Sequence, residues 1–500
     1  MAYYALGIDI GTTSVKTLLL SSDGHIADEE SAQHDLISMH VGWAEENAAD
    51  WWNNTLKTVR EIIKRNPDKL RRIASIGVSG MVPAIVMLDK DGKVQRNTIQ
   101  QNDARAIDQI ARVKGALDQD VLFRRTGGKT NQQHVIPRLL WVKENEPQVW
   151  ERTDCVLGSY DYIVFMLTGA RSIEVNWAVE SGMYDIRAGE WIAPYLEEFD
   201  ISPALFPAVS PSMSFVGKVS REASAATGLP AGIPVIAGSA DHVASTLAAG
   251  IVDEGDLLIK FGGAGDILYC VRDLYINERL FFDYHIVPDR YLLNGCMAAS
   301  GSLVKWFTND ILECSSPDTF KQLDDEAAKV PPASDGLIIL PYFIGEKTPI
   351  FDPTARGVFF GLTLSHQRPA IFRAILESVI YGFRHHIDVL AESGLSPLHI
   401  YATNGGAKSR FWCQIAADIL GQTVKSFPSH PGSALGVAFL AGMAAGLFRD
   451  WQEIHRFLDH YRVFEPDPRN HEIYNRSYRI YRDLYRRNRD GFADIRRLYS

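Results

Sequence analysis

Residues 4–21, YALGIDIGTTSVKTLLLS, place two apolar runs on either side of a short turn. Each run is long enough for a strand, and the turn holds glycine and hydroxyl residues, so the stretch predicts a hairpin. The pattern returns in mid-chain, where residues 257–271, LLIKFGGAGDILYCV, place a glycine-rich turn between two apolar runs. A structural unit that occurs twice predicts two similar α/β lobes, with the border between them near residue 245.

The two turns carry groups that suit a phosphate ligand. Asp9 lies next to the end of the first apolar run, and Gly11, Thr12 and Thr13 follow at once. Backbone N–H groups and hydroxyls in such a turn bind phosphate oxygens, and a carboxylate beside them holds Mg²⁺ through water. The alternative is an ordinary hairpin turn without a ligand. In the second turn, residues 261–265, the glycines permit close approach of a ligand, so two such turns facing one cleft would hold a polyphosphate from both sides.

Two further stretches follow apolar runs that predict strands. In residues 403–410, TNGGAKSR, a glycine pair precedes a predicted helix, where a ring or a phosphate fits against the backbone. The alternative there is a plain strand-to-helix turn. In residues 238–242, GSADH, the carboxylate of Asp241 is either the N-cap of the next helix or a base that takes a proton from a sugar hydroxyl. His242 is either a neutral hydrogen-bonding residue or a sugar contact.

The composition is average for a globular chain. Its 500 residues are 46% hydrophobic and 22% charged, with a formal net charge of −10 and a pI near 5.8. An acidic chain is a poor non-specific binder of nucleic acid, so we expect no nucleic-acid partner. The five cysteines form no CxxC pair and indicate reduced thiols, so we expect a cytoplasmic protein. The nearest candidate for a membrane span, residues 434–446, is short and predicts a buried helix, so no membrane partner is expected.

Five stretches, taken in this order, resemble the FGGY carbohydrate kinases, and within them the xylulokinase-like branch. They are ALGIDIGTTSVK, GSAD, FGGAGD, GEKTPIFDPTARGVFFGL and NGGAKSRFWCQIAADILG, and the resemblance covers residues 4 to 450. It implies an α/β fold of two ribonuclease H-like lobes, the actin/sugar kinase superfold, with a deep cleft between the lobes. It also implies phosphorylation of a sugar or polyol hydroxyl, with ATP and Mg²⁺ as cofactors.

The expected division of the chain has three parts. Residues 1–245 form the sugar-binding and catalytic lobe, and residues 246–455 form the nucleotide-binding lobe. Residues 456–500, which are rich in Arg and Tyr, form a C-terminal helical segment. A homodimer is compatible with the sequence, which does not decide the oligomeric state.

The resemblance also assigns roles to single residues. Asp9 matches the family's metal-side aspartate, and Asp241 matches its catalytic base. The matches at the nucleotide are Gly11, Thr12 and Thr13 in the first phosphate loop, Gly262 and Gly263 in the second, Gly301 on the phosphate or ribose side, and Gly405, Gly406 and Ser409 in the adenosine motif.

The stretches expected to face the sugar depart from the family pattern. A typical xylulokinase has Gln-Met-His-Gly after a strand that ends in glycine, whereas Gly80 is followed here by Met-Val-Pro-Ala. The usual Trp-Asn-Asp becomes Gln-Asn-Asp at residues 101–103, and a histidine follows the catalytic aspartate where asparagine is usual. A missing hydrogen-bond partner changes substrate preference by orders of magnitude, so xylulose is an analogy only. The substrate residues that we expect are Met81, Val82, Asn102, Asp103, Asp241 and His242.

Several functions remain open at this point. The acceptor is a ketopentose such as xylulose, another ketose or a polyol. In a different class, a non-catalytic ATP-dependent clamp of the same superfold keeps the phosphate loops and needs no sugar pocket. A sugar-binding regulator that lacks catalysis is a third alternative, against which the presence of Asp9 and Asp241 argues.

Overall fold

The computed structural model describes residues 2–40, 42–314, 316–458 and 460–498. The opening stretch forms the predicted hairpin, with strands Tyr4–Ile10 and Ser14–Ser21 in antiparallel register. The mid-chain hairpin has the same form, with strands Asp256–Phe261 and Gly265–Val271. Each hairpin belongs to its own seven-stranded sheet, so the two-lobed α/β architecture is confirmed.

Six strands in each of the two sheets share one order. In each sheet the hairpin pairs on one side with a third antiparallel strand, and on the other with two parallel strands and then an antiparallel edge strand. In spatial order, the N-terminal sheet consists of Phe215–Lys218, Pro234–Ile236, Ile73–Gly80, Tyr4–Ile10, Ser14–Ser21 and His25–Gln33, with Ser239–Ala240 paired to Ile73–Gly80. The C-terminal sheet consists of Phe281–Tyr284, Tyr291–Met297, Gly265–Val271, Asp256–Phe261, His399–Thr403, Val424–Ser426 and Arg462–Phe464.

Helices pack on the faces of both sheets, which explains why the central strands are apolar on both sides. None of the helices in the described ranges is long and apolar enough to cross a bilayer. The principal helices are Ala48–Arg65, Ile107–Ala116, Gln119–Thr126, Val135–Asn145, Ser159–Thr168, Val175–Glu180, Arg221–Thr227, Asp241–Ala248, Gly301–Trp306, Pro317–Ala327, Arg368–Glu392, Arg410–Leu420, Ser433–Ala444 and Pro468–Arg497.

Helix Ser433–Ala444 follows the second sheet in the chain but packs on the first. Two glycines that pair across neighbouring strands permit this contact. A Cβ atom on Gly7 would lie 2.2 Å from a carbonyl oxygen of the helix, and one on Gly77 would lie 2.6 Å from another. The same helix packs against helix Asp241–Ala248. The region expected to form the nucleotide-binding lobe therefore also supplies part of the N-terminal core.

The C-terminal segment is part of the second lobe. Strand Arg462–Phe464 extends the C-terminal sheet, and helix Pro468–Arg497 packs against that lobe through buried tyrosines, among them Tyr474 and Tyr481. The boundary expected at residues 455/456 thus separates no independent unit. Arginines on the outer face of the helix, such as Arg486, pair with acids of the same helix.

Candidate active site

Two carboxylates meet at one edge of the N-terminal sheet. The Ser79 hydroxyl donates a hydrogen bond of 2.7 Å to Oδ1 of Asp9 on the adjacent strand. The short strand Ser239–Ala240 pairs with the strand that holds Ser79, and this pairing brings Asp241 to the same edge. Burial, followed by the charge of Asp241, raises the pKa of Asp9 to about 7. Two carboxylates in this arrangement form a site that a bound cation would stabilise.

Asp241 is the first residue of helix Asp241–Ala248, whereas the N-cap position belongs to Ala240. Its side chain is 36% exposed. Its Oδ1 accepts a hydrogen bond of 2.6 Å from the N–H of His242, and Oδ2 has no protein partner among the described residues. The carboxylate was expected to be either a helix N-cap or a base. Because Ala240 occupies the N-cap position, the geometry is compatible with the role of a base that accepts a proton.

The first predicted phosphate loop, residues 11–13, follows directly after the strand of Asp9. The N–H of Gly11 donates to the carbonyl of Ser14 at 3.0 Å, which closes the turn. Thr12 and Thr13 are exposed at its tip. The loop therefore presents two hydroxyls beside the paired carboxylates, and their contact with phosphate stays a prediction.

The second predicted loop is held in place by the residues around Gly301. The N–H of Gly301 donates to the carbonyl of Gly262, and those of Ser300 and Ser302 donate to that of Gly263, at 2.8–3.1 Å. A Cβ atom on Gly301 would lie 2.6 Å from the carbonyl oxygen of Gly262, whereas a Cβ on Gly263 would meet nothing within 4 Å. Gly301 thus supports the loop backbone, and Gly263 lies beside open space that a ligand can enter.

The predicted adenosine motif lies next to the second loop. Its strand, His399–Thr403, runs parallel to Asp256–Phe261, so both turns leave the same edge of the C-terminal sheet. A Cβ on Gly406 would lie 2.6 Å from Phe261, while Gly405 has more room. Ser409 caps helix Arg410–Leu420, because its hydroxyl accepts the N–H of Trp412 at 3.0 Å, and it also donates to Asp324 at 2.7 Å.

The residues expected to contact sugar fall into two groups. Met81 and Val82 are buried behind the strand end that carries Ser79, and Asn102 is exposed. Asp103 is buried, and its carboxylate accepts hydrogen bonds from the guanidinium of Arg105 and the N–H of Ala44. These internal partners occupy the carboxylate, so they do not favour a sugar contact for Asp103, which stays a prediction.

The structure adds charged residues that the sequence analysis missed. Lys260, on the strand before the second loop, has Nζ 3.7 Å from Oδ2 of Asp266, and its charge, with that of Lys16, acts to lower the pKa of Asp9. It therefore faces the paired carboxylates from the second lobe. Its place directly before Phe-Gly-Gly was visible in the sequence, but the chain pattern did not show which way it points.

Two carboxylates lie beside one glycine turn, and the opposite lobe supplies a second glycine turn. This arrangement defines a phosphotransferase of the two-lobed kinase class. Models of the FGGY family of carbohydrate kinases match the chain, its N-terminal domain over residues 4–248 and its C-terminal domain over residues 279–445. The chain belongs to this family, and it is a carbohydrate kinase.

Known relatives cover almost the whole chain. A xylulose kinase from Bacillus subtilis (strain 168) is 30% identical, over 97% of this chain and 97% of its own length. The crystal structure of xylulose kinase from Rhodospirillum rubrum is 40% identical with a TM-score of 0.92, over 98% of this chain and 100% of that one. A gluconate kinase structure from Lactobacillus acidophilus is 26% identical with a TM-score of 0.92, over 99% and 100%.

Gly301→Ala is expected to weaken ATP binding about tenfold. The added methyl group meets the carbonyl of Gly262 and displaces the loop, and overpacking of this kind costs about 1–3 kcal/mol. Calorimetric titration with ATP measures the effect. The matched control is Gly115→Ala, because a Cβ there would meet nothing within 4 Å. Equal ATP affinity in the two variants would contradict the assigned role of Gly301.

Proposed function

We propose that this kinase transfers the γ-phosphoryl group of ATP to a hydroxyl of a ketopentose such as xylulose. The observation that carries the proposal is the position of Asp241 at the edge of the N-terminal sheet, where its charge helps to raise the pKa of Asp9 and only its Oδ1 has a partner among the described residues. The choice of a ketopentose follows the similarity to xylulose kinases from Bacillus subtilis and Rhodospirillum rubrum.

In the proposed mechanism Asp241 acts as the general base. The acceptor hydroxyl attacks the γ-phosphorus in line, the new O–P bond forms, and the bond to the bridging oxygen of ADP breaks. The hydroxyl proton moves to Oδ2 of Asp241, while Oδ1 keeps its hydrogen bond from His242. Positioning and electrostatic stabilisation supply most of the rate, since phosphoryl transfer needs little covalent assistance from the protein.

The nucleotide side of the site is assigned to the two loops and to Asp9. Residues 11–13 and 262–263 would hold phosphate oxygens, Gly405, Gly406 and Ser409 would border the adenosine, and Lys260 would add a positive charge. The residues fit Mg²⁺, because a cation beside Asp9 would remove the repulsion that helps to raise its pKa. When bound, Mg²⁺ would neutralise charge on the phosphate oxygens.

The alternatives make different demands on the same residues. Another ketose or a polyol would use the same base, and the apolar Met81 and Val82 leave that choice open. A clamp or a regulator would bind ATP without transferring phosphate to a sugar. The homodimer, the cytoplasmic location and the lack of nucleic-acid and membrane partners stay predictions.

ADP release at fixed Mg²⁺ tests the proposal, with ketopentoses, ketohexoses, tetritols, pentitols and glycerol as acceptors. We expect one or two ketopentoses to raise turnover at least tenfold above the rate without acceptor. Stimulation by polyols or ketohexoses alone would move the assignment to that class. Tight ATP binding with no response to any acceptor would favour the clamp or regulator.

A further inference from the structure

Three polar side chains from three separate elements meet beside the catalytic base. Glu180 ends helix Val175–Glu180, His242 follows Asp241, and Asp283 lies on an outer strand of the C-terminal sheet. One ligand atom from each of the three lies within 4.8 Å of the others. We call these three residues the acidic-histidine cluster. It joins the two lobes beside Asp241.

The cluster has hydrogen-bonding capacity that the protein does not use. Nε2 of His242 lies 3.1 Å from Oδ2 of Asp283, but neither this nitrogen nor Oδ1 of Asp283 has a well-directed hydrogen bond within the described part of the chain. The side chain of Asp283 is 0% exposed, and that of His242 is 15% exposed. Buried polar atoms without partners are costly, so this geometry indicates a ligand that supplies the missing bonds.

The charges within the cluster largely compensate one another. Although burial opposes a charged ring, the carboxylate of Asp283 raises the pKa of His242 well above its usual range. Burial, followed by the charge of Asp283, raises the pKa of Glu180. Charges outside the cluster that act on it include those of Asp241, Arg138 and the exposed Lys347. A neutral ligand with hydroxyls, each of which donates and accepts, suits this mixture of donors and acceptors.

Among the other residues expected to contact sugar, three offer no free polar side-chain group, while Asn102 is polar and exposed. Met81 and Val82 are apolar and buried, and the carboxylate of Asp103 is already bound by Arg105. We propose that Glu180, His242 and Asp283 bind hydroxyls of the neutral acceptor sugar and thereby select its configuration. This inference rests on the proposed function. In this role the cluster replaces polar groups that the 81–83 segment lacks.

The test compares the wild type with Glu180→Gln, His242→Ala and Asp283→Asn on the four 2-ketopentoses, which differ only in configuration at C3 and C4. We expect kcat/KM ratios between the best and worst sugars to fall at least tenfold in each variant, mainly through KM for the best sugar. KM for ATP should change less than twofold. Calorimetry with D-xylulose, without nucleotide, should show a matching loss of affinity where D-xylulose is the best substrate.

The matched control is Glu377→Gln, which removes the charge of another buried acid, paired with Arg373 inside the second lobe. It is expected to lower Tm and to leave the sugar ratios unchanged. Glu180→Gln and His242→Ala keep the test valid if the fully buried Asp283→Asn does not fold.

The outcomes separate the two proposals. An active wild type whose variants keep the same sugar ratios would overturn the role of the cluster alone. A wild type that responds to no sugar overturns the proposed function and this inference with it. Elemental analysis of the purified protein, dialysed against EDTA, tests for a metal instead. A stoichiometric ion that disappears in Asp283→Asn would assign the cluster to metal binding and overturn its sugar role.

Discussion

Asp241→Asn is expected to lower kcat about 10³-fold, while Tm and ATP affinity stay close to those of the wild type. The amide keeps the shape of the side chain and its hydrogen bond from the N–H of His242 but cannot take the hydroxyl proton. Loss of a positioned general base reduces the rate by about 10²–10⁴-fold. Turnover is measured by ADP release with the best acceptor, and ATP binding by calorimetry.

The control for this substitution is Asp50→Asn. Asp50 lies in the first turn of helix Ala48–Arg65 and is exposed, so its change alters the charge at a helix start without touching the cleft. It should leave kcat unchanged. If Asp241→Asn retained more than about a tenth of wild-type kcat, Asp241 would not be the base, and its carboxylate would serve the helix start instead.

Gly436→Ala is expected to destabilise the protein by about 3 kcal/mol or more and to reduce kcat. A Cβ on Gly436 would lie 1.9 Å from the carbonyl oxygen of Ala244, in helix Asp241–Ala248. Overpacking costs about 1–3 kcal/mol where neighbours can shift, and here the neighbour is the backbone of a buried helix. Any shift of that helix moves Asp241, so activity falls together with stability.

Denaturant unfolding measures the change, and Gly491→Ala is the matched control. Gly491 is also a helical glycine, but a Cβ there would meet nothing within 4 Å. Alanine is the better helix former, so this control should gain about 0.5–1 kcal/mol. Equal stability of Gly436→Ala and the wild type would show that the two helices do not pack as closely as the structure indicates.

Both hairpins were predictable because their signals are local. Apolar runs and glycine turns within about twenty residues decide a strand pair, and this information placed Asp9 near a strand end and residues 262–263 in a turn. Asp241 was visible for the same reason, as a carboxylate at the end of a short apolar run. Whether Asp241 is a helix cap or a base could not be read from the sequence, because the answer depends on where Oδ2 points once the helix is packed.

Other features depended on surfaces that are distant in the chain. Helix Ser433–Ala444 was predicted as buried, but its partner, the N-terminal sheet, was decided by Gly7 and Gly77. Asp103 matched a family pattern, yet the guanidinium of Arg105 occupies its carboxylate. A pattern can assign the type of residue, whereas the partners of its polar atoms follow from the complete packing.

By itself, the sequence determined the two similar lobes, the glycine turns, the two candidate aspartates and the resemblance that led to the carbohydrate kinases. Only the tertiary structure decided that Glu180, His242 and Asp283 lie together beside Asp241. Glu180 and Asp283 are about a hundred residues apart and belong to different lobes. Chain neighbours determine strands, turns and helices, but no local pattern encodes which side chains meet across a cleft, because that depends on how whole lobes pack.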